Sequence, residues 1–159
     1  MTVNIKPMVG EDKIPIAEIL QATREFTSTE VKVALELIDL YLEYGISSDY
    51  HILVAGIDNT PSGYICFGPT PLTEGTWDIY WIAIDPEMKR QGIGRRLLTE
   101  AENSISKAMG RLVLVETSSK PDYEKTRKFY ESCDYEIIAC IPDFYTPGDD
   151  KIIFQKRLD

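Results

Sequence analysis

Histidine is nearly missing from this chain: His51 is the single one in 159 residues. A multi-histidine metal site is therefore excluded, and little room is left for a Ser-His nucleophile pair. Cysteine is sparse and odd in number. Cys66, Cys133 and Cys140 match no zinc or redox spacing, so the expectation is reduced thiols packed in the core. Positive charge is in deficit, with 17 Lys and Arg against 26 Asp and Glu and a net charge of −9. Bulk nucleic-acid binding needs a basic face and is excluded, whereas a cationic substrate suits this balance. No apolar run approaches the roughly 20 residues needed to span a bilayer. The N-terminal stretch MTVNIKPMVGEDK has no apolar segment after a basic start, as a secretory signal would. A cytoplasmic location with no membrane partner is the resulting expectation. Repeats, low-complexity tracts and linkers are also missing, so residues 1–159 read as one domain, and a hydrophobic content of 43% supplies its core.

What is present is an alternation of strand and helix patterns. Residues 3–8 alternate like a short strand, and Ile16, Ile19, Leu20 and Thr23 then recur at helical spacing. Thr27 and Glu30 form a capping-box signal for a helix reaching Tyr44, with Gly45 as its stop. That helix carries two apolar faces. Val31, Ala34, Leu35, Ile38 and Leu42 form one, and Val33, Leu37, Leu40 and Tyr44 the other. Either both pack on the domain's own core, or the second is a cleft wall or the surface of a homodimer. Strands are expected at 50–57 and at YICFG after a turn, then a long one at 73–85. A helix over 93–109, stopped by Gly110, leads to a continuous apolar strand at 111–117. A short helix at 120–133 is followed by strands at 135–141 and 151–158, with PDFYTPGDD (142–150) as the loop between them. The order β-α-α-β-β-β-α-β-α-β-β predicts an α/β fold with a mixed sheet of about seven strands. Only the strand–helix–strand unit around Gly92 requires a parallel crossover.

That unit contains PEMKRQGIGRRLL, which gathers Lys89, Arg90, Arg95 and Arg96 around Gly92 and Gly94 at a helix start. A helix start favours anions over arginine, so the cluster breaks a local rule. Glycines there let backbone N–H groups approach a phosphate. The P-loop pattern fails because no Lys-Ser/Thr pair follows, and the Rossmann pattern fails because Leu97 stands at its third glycine. A ligand-free glycine turn is the bland alternative. A polyanionic ligand accounts better for the cations.

Here the chain resembles the GNAT N-acetyltransferases. A long strand ending in WIAIDP precedes Lys89-Arg90-Gln91-Gly92-Ile93-Gly94, which is similar to the acetyl-CoA-binding Gln/Arg-x-x-Gly-x-Gly/Ala of that family, with Lys89 in the first slot. Phe129-Tyr130 and Asp134-Tyr135 match its second segment, with Asp134 for the usual glycine and Tyr123 where many members have Asn. The resemblance implies two splayed central parallel strands, 76–85 and 111–117, with the pantetheine of acetyl-CoA between them as a co-substrate and no metal. Backbone groups of Ile82, Ala83 and Ile84 would bond the pantetheine amides. Those of Arg90, Gln91, Gly92, Ile93, Gly94 and Arg95 would hold the pyrophosphate, with Lys89 on the rim and Tyr123 beside the cofactor.

The implied reaction is acetyl transfer from a thioester to an amine, which needs a neutral amine, a polarised carbonyl and a proton for the thiolate. Tyr130 matches the family's general acid; from the residues alone it reads as a core aromatic. Two carboxylates compete as base: Asp78, which interrupts an apolar strand, and Glu116, which follows four apolar residues at the end of the second splayed strand. Burial expected around Glu116 would suit a base and puts it narrowly ahead, while either residue could instead orient the substrate with water carrying the proton. Asp143, Asp149 and Asp150 could attract an ammonium walled by Phe144 and Tyr145, with Asp143 and Tyr145 the expected contacts; a solvated loop is the plainer account of Asp149 and Asp150. A small amine such as an amino acid or polyamine is the expected acceptor. Acetylation of a protein N-terminus or lysine is the alternative, and a non-catalytic acetyl-CoA sensor the rival of another class.

Overall fold

The computed structural model describes residues 2–159. The elements run β1 (Val3–Pro7), α1 (Lys13–Ala22), α2 (Ser28–Tyr44), β2 (His51–Ile57), β3 (Thr60–Pro69), β4 (Thr76–Ile84), α3 (Ile93–Lys107), β5 (Leu112–Ser118), α4 (Glu124–Ser132), β6 (Glu136–Thr146) and β7 (Asp149–Arg157). The strands form one seven-stranded mixed sheet in the order β1-β2-β3-β4-β5-β7-β6. Among the described residues only β4 and β5 pair in parallel, as the α3 crossover requires; every other neighbour is antiparallel.

Helices cover both faces. On one, Ile93, Leu97, Leu98, Ala101 and Ile105 of α3 pack with Ala55, Ile65, Phe67, Ile79, Val113 and Val115, and Tyr130 of α4 closes the same core. On the other, Ile16, Ile19 and Leu20 of α1 join Val31, Ala34 and Ile38 of α2 over Ile52, Val54, Tyr64, Cys66 and Ala83. No residue of β5, β6 or β7 belongs to this second core, so its helices roof only the β1–β4 half of the sheet. The capping box holds α2 as its sequence predicts: the Glu30 N–H donates to Thr27 Oγ1 and the Thr27 N–H to Glu30 Oε1, both at 3.2 Å.

The structure corrects several expectations. The second face of α2 joins the chain's own core only through the half-buried Leu37, for Val33, Leu40 and Tyr44 are exposed. Helix α3 ends at Lys107, and the left-handed turn falls on Met109 (φ 67°) instead of Gly110. Gly110 is needed for space, since a Cβ there would stand 2.9 Å from the Trp77 ring. The short helix at 120–133 opens as a tight 3-10 turn at Pro121–Tyr123 before α4 begins. Residues 142–146 are the end of β6, not a loop, because β6 and β7 join through Pro147-Gly148 with Gly148 at φ 86°. Cys66 and Cys133 are buried thiols, whereas Cys140 lies exposed on β6.

Candidate active site

The central parallel pair does not stay paired. The β4–β5 ladder runs only from Thr76↔Leu112 to Ile79↔Val115. Beyond it Ile82, Ala83 and Ile84 remain bonded to Ile65, Tyr64 and Gly63 of β3, and Glu116, Thr117 and Ser118 to β7. A bulge accounts for the parting: Cys66 opposes Trp81 and Phe67 opposes Ile79, leaving Tyr80 without a partner. The extra residue bends and twists β4 away from β5. The edge of β4 from Tyr80 to Ile84 therefore presents unpaired backbone donors and acceptors to a gap. The Thr117 hydroxyl, on the β5 side beyond the last pair, is buried without a hydrogen-bond partner.

The glycine loop leads from β4 into α3 at the same end of the sheet. Gly92 is the N-cap at φ 76°, a left-handed conformation that favours glycine, and Arg90 shares it at φ 68°. The first intrahelical bond is from the Arg96 N–H to the Gly92 carbonyl. Among the described residues no acceptor receives the backbone N–H groups from Lys89 to Arg95. A Cβ on Gly94 would meet the Phe129 ring at 3.4 Å, an ordinary contact, so packing alone does not demand a glycine there. The cation cluster divides. Arg95 donates to the Ser132 carbonyl at 3.0 Å and Arg96 to the Val3 carbonyl at 3.2 Å, so these two turn to structural partners. Lys89 and Arg90 remain on the rim.

Tyr130 is 3% exposed, with its ring against Phe129, Tyr135 and Phe154. Burial, and secondarily Cys133, push its hydroxyl well above the usual phenol range, so it holds its proton throughout physiological pH. Tyr123, just before α4, donates its hydroxyl to the Glu25 carbonyl at 3.1 Å and to Glu30 Oε2 at 3.2 Å. It ties the start of α4 to the α1–α2 turn. Burial, then Glu30, raise its pKa as well.

The two candidate carboxylates share one face, because Asp78 pairs with Leu114 two residues before Glu116. This is the face roofed by α1 and α2 on the far side of β4. Asp78 is half-buried and accepts a 2.6 Å bond from the Thr70 hydroxyl. Burial raises its pKa, aided by the Glu116 charge and opposed by Thr70 and Lys151. Glu116 is not buried as expected: its side chain is 51% exposed, and its Oε2 lies 2.9 Å from Lys151 Nζ. Strand β5 has no helix above it on this face, which is why the carboxylate reaches solvent.

The acidic turn residues serve mainly the hairpin. Asp143 accepts the Gly148 N–H at 2.7 Å, and Asp150 accepts the Asp143 N–H at 2.9 Å, closing the irregular end of β6. Asp149 is 4% exposed, which overturns its reading as a solvated loop residue; it accepts from Ser118 Oγ and pairs with Lys120 at 3.6 Å. Tyr145 stands near Glu116, Asp149 and Glu30, whose charges add to burial in raising its pKa. The sequence reading missed Lys151 and Glu30. Glu30 was visible only as a cap, and Lys151 could have been found only from the β5–β7 register that sets it opposite Ser118. Among the described residues no group of three or more His, Cys, Asp or Glu side chains could hold a metal, and no helix is long and apolar enough to cross a membrane.

Comparison with known proteins agrees with this geometry. The family model described as an acetyltransferase (GNAT) domain matches residues 48–137. A protein assigned to the GNAT acetyltransferase family from Desulfovibrio desulfuricans is 39% identical, with a TM-score of 0.95 over 98% of this chain and 99% of its own. The ribosomal-protein-S18-alanine N-acetyltransferase of Escherichia coli is 18% identical, with a TM-score of 0.78 over 99% of this chain and 95% of its own. An N-acetyltransferase from Thermoplasma acidophilum, solved with coenzyme A, is 18% identical, with a TM-score of 0.79 over 99% and 100%. Comparison with curated proteins gives no match.

Proposed function

Since the chain belongs to the GNAT acetyltransferase family, we propose that it moves the acetyl group of acetyl-CoA to the primary amine of a small molecule. The parting of β4 from β5 carries this reading, because it leaves a strand-shaped gap edged by free backbone groups. Ile82, Ala83 and Ile84 bond the pantetheine arm along β4. The free N–H groups from Arg90 to Arg95 hold the pyrophosphate, supported by the start of α3 and by Lys89 and Arg90 on the rim. The buried Thr117 hydroxyl is a further donor for what fills the gap. A bound neighbour supports the choice of ligand, since the Thermoplasma protein was solved with coenzyme A.

Acetyl-CoA supplies an activated thioester. The residues around it manage protons and orientation. Tyr130 keeps its hydroxyl protonated and gives that proton to the departing sulfur. Asp78 is the better base of the two carboxylates, because burial has raised its proton affinity while Glu116 is engaged by Lys151. Tyr145 and Asp143 line the acceptor's approach from the β6–β7 hairpin, and Tyr123 forms the wall opposite. The whole chain acts as one catalytic domain in the cytoplasm.

The deciding experiment is an amine panel with acetyl-CoA, following thiol release. Amino acids and polyamines are expected among the best acceptors. Release only with peptides bearing a free N-terminus or lysine would move the assignment to protein acetylation. Acetyl-CoA binding without release on any acceptor would make the chain a sensor instead of an enzyme.

A further inference from the structure

Lys151 is an amine of this chain that lies on the acceptor face beside the parting strands. It projects from β7 on the same face as Glu116, because Lys151 pairs with Ser118 and Glu116 with Ile153. Glu116 is the first residue of β5 past the last pair with β4, so it marks the fork of the gap. Lys151 Nζ lies 2.9 Å from its carboxylate and 4.3 Å from the centre of the Phe144 ring. Its side chain is only 14% exposed. The Lys151 charge also acts on Asp78 of β4, where it opposes the rise in that carboxyl's pKa. Carboxylate and aromatic face are the partners an external ammonium would seek, and the chain's own lysine already holds them.

We propose that Lys151 is an internal acceptor, acetylated at Nζ by acetyl-CoA when no external amine is present. The inference rests on the transferase reading above. The new bond joins Nζ to the acetyl carbonyl carbon, and the carbon–sulfur bond of the thioester breaks. The ammonium nitrogen loses two protons. One passes to Glu116 and on to water, and the other balances the proton that the departing thiolate takes up. The product amide carries no charge, so Glu116 is released from its ion pair and becomes available to external amines.

The test is peptide mapping by mass spectrometry after incubating the purified protein with acetyl-CoA alone. An acetyl group on Lys151 is expected well before the exposed Lys128, whose side chain is 71% accessible. Acetic anhydride, which reads intrinsic accessibility, should reverse that order and label Lys128 first. Gly92→Val should abolish the Lys151 label from acetyl-CoA and leave the anhydride pattern unchanged. An added acceptor amine should slow Lys151 labelling. If acetyl-CoA labels lysines in the anhydride order, the proposal is overturned and Lys151 is a fixed counter-ion of Glu116. Thiol release on external amines, with Lys151 unlabelled, overturns it while leaving the transferase reading intact. No thiol release and no label would defeat both.

Discussion

At the residue scale, the proposed acid and base are groups whose proton affinity is raised by their surroundings. Tyr130→Phe removes only a hydroxyl from a ring held by three aromatic neighbours, so the fold and acetyl-CoA binding should survive. Steady-state turnover should drop by about 10²–10⁴-fold if that hydroxyl is the acid; unchanged turnover would return Tyr130 to a packing role. Asp78 gives a stability prediction with a definite sign. Its folded-state pKa is raised, so the folded protein holds this proton more tightly than the unfolded chain. Stability from that proton is present at low pH and lost as pH rises through the raised value. Asp78→Asn still accepts the Thr70 hydrogen bond and carries no charge to desolvate. It should raise the melting temperature at about pH 7, an advantage that fades below the ordinary Asp value of about 3.9, while slowing acetyl transfer. The burial of Tyr130 was legible in the apolar face of a short helix, whereas the acid role expected of it comes from the family resemblance alone. The exposure of Glu116 was not legible, since four preceding apolar residues report on β5 and say nothing of whether a helix lies above it.

At the scale of the element, the capping box of α2 and the stop at Gly45 could be read directly, because each depends on a few adjacent residues. The end of α3 and the β6–β7 turn could not. Met109 takes the left-handed conformation, and Gly110 is kept small by the crowding of Ile105 in the helix just before it and of the Trp77 ring from a distant strand. Asp143 and Asp150 looked like free charges, yet they fasten the irregular strand that carries them. The glycine loop supports a sharper prediction. Gly92 has open space around its Cα, so what a side chain would meet there is backbone strain at φ 76°. Gly92→Val should therefore distort the turn that aligns the free N–H groups. Acetyl-CoA should raise the melting temperature of the parent protein by mass action, and that rise should largely vanish in the variant. A shift of the same size in both proteins would remove the loop from the binding site. Arg95 and Arg96 explain part of the broken charge rule by themselves, through their bonds to Ser132 and Val3.

At the scale of the molecule, the element order and the mixed sheet were visible from the alternation of patterns, whereas the bulge at Tyr80 had no local signature and follows from register alone. Its effect is large. The half-sheet β1–β4 and the half-sheet β5–β7–β6 share a ladder of only four residue pairs, supplemented by the Tyr123 bonds to the α1–α2 turn. Amide hydrogens of Tyr80–Ile84 that face the gap have no strand to protect them. They should exchange with deuterated water quickly in the free protein and slowly with acetyl-CoA bound, while those facing β3 stay protected in both. Equal exchange in both states would mean that nothing occupies the gap. A strand missing from the middle of a sheet also changes how long the protein survives. A ligand that fills it lowers the population of opened chains on which proteases act. The abundance of this protein in a cell should then follow the supply of acetyl-CoA, falling by degradation when carbon is scarce even if its synthesis is constant.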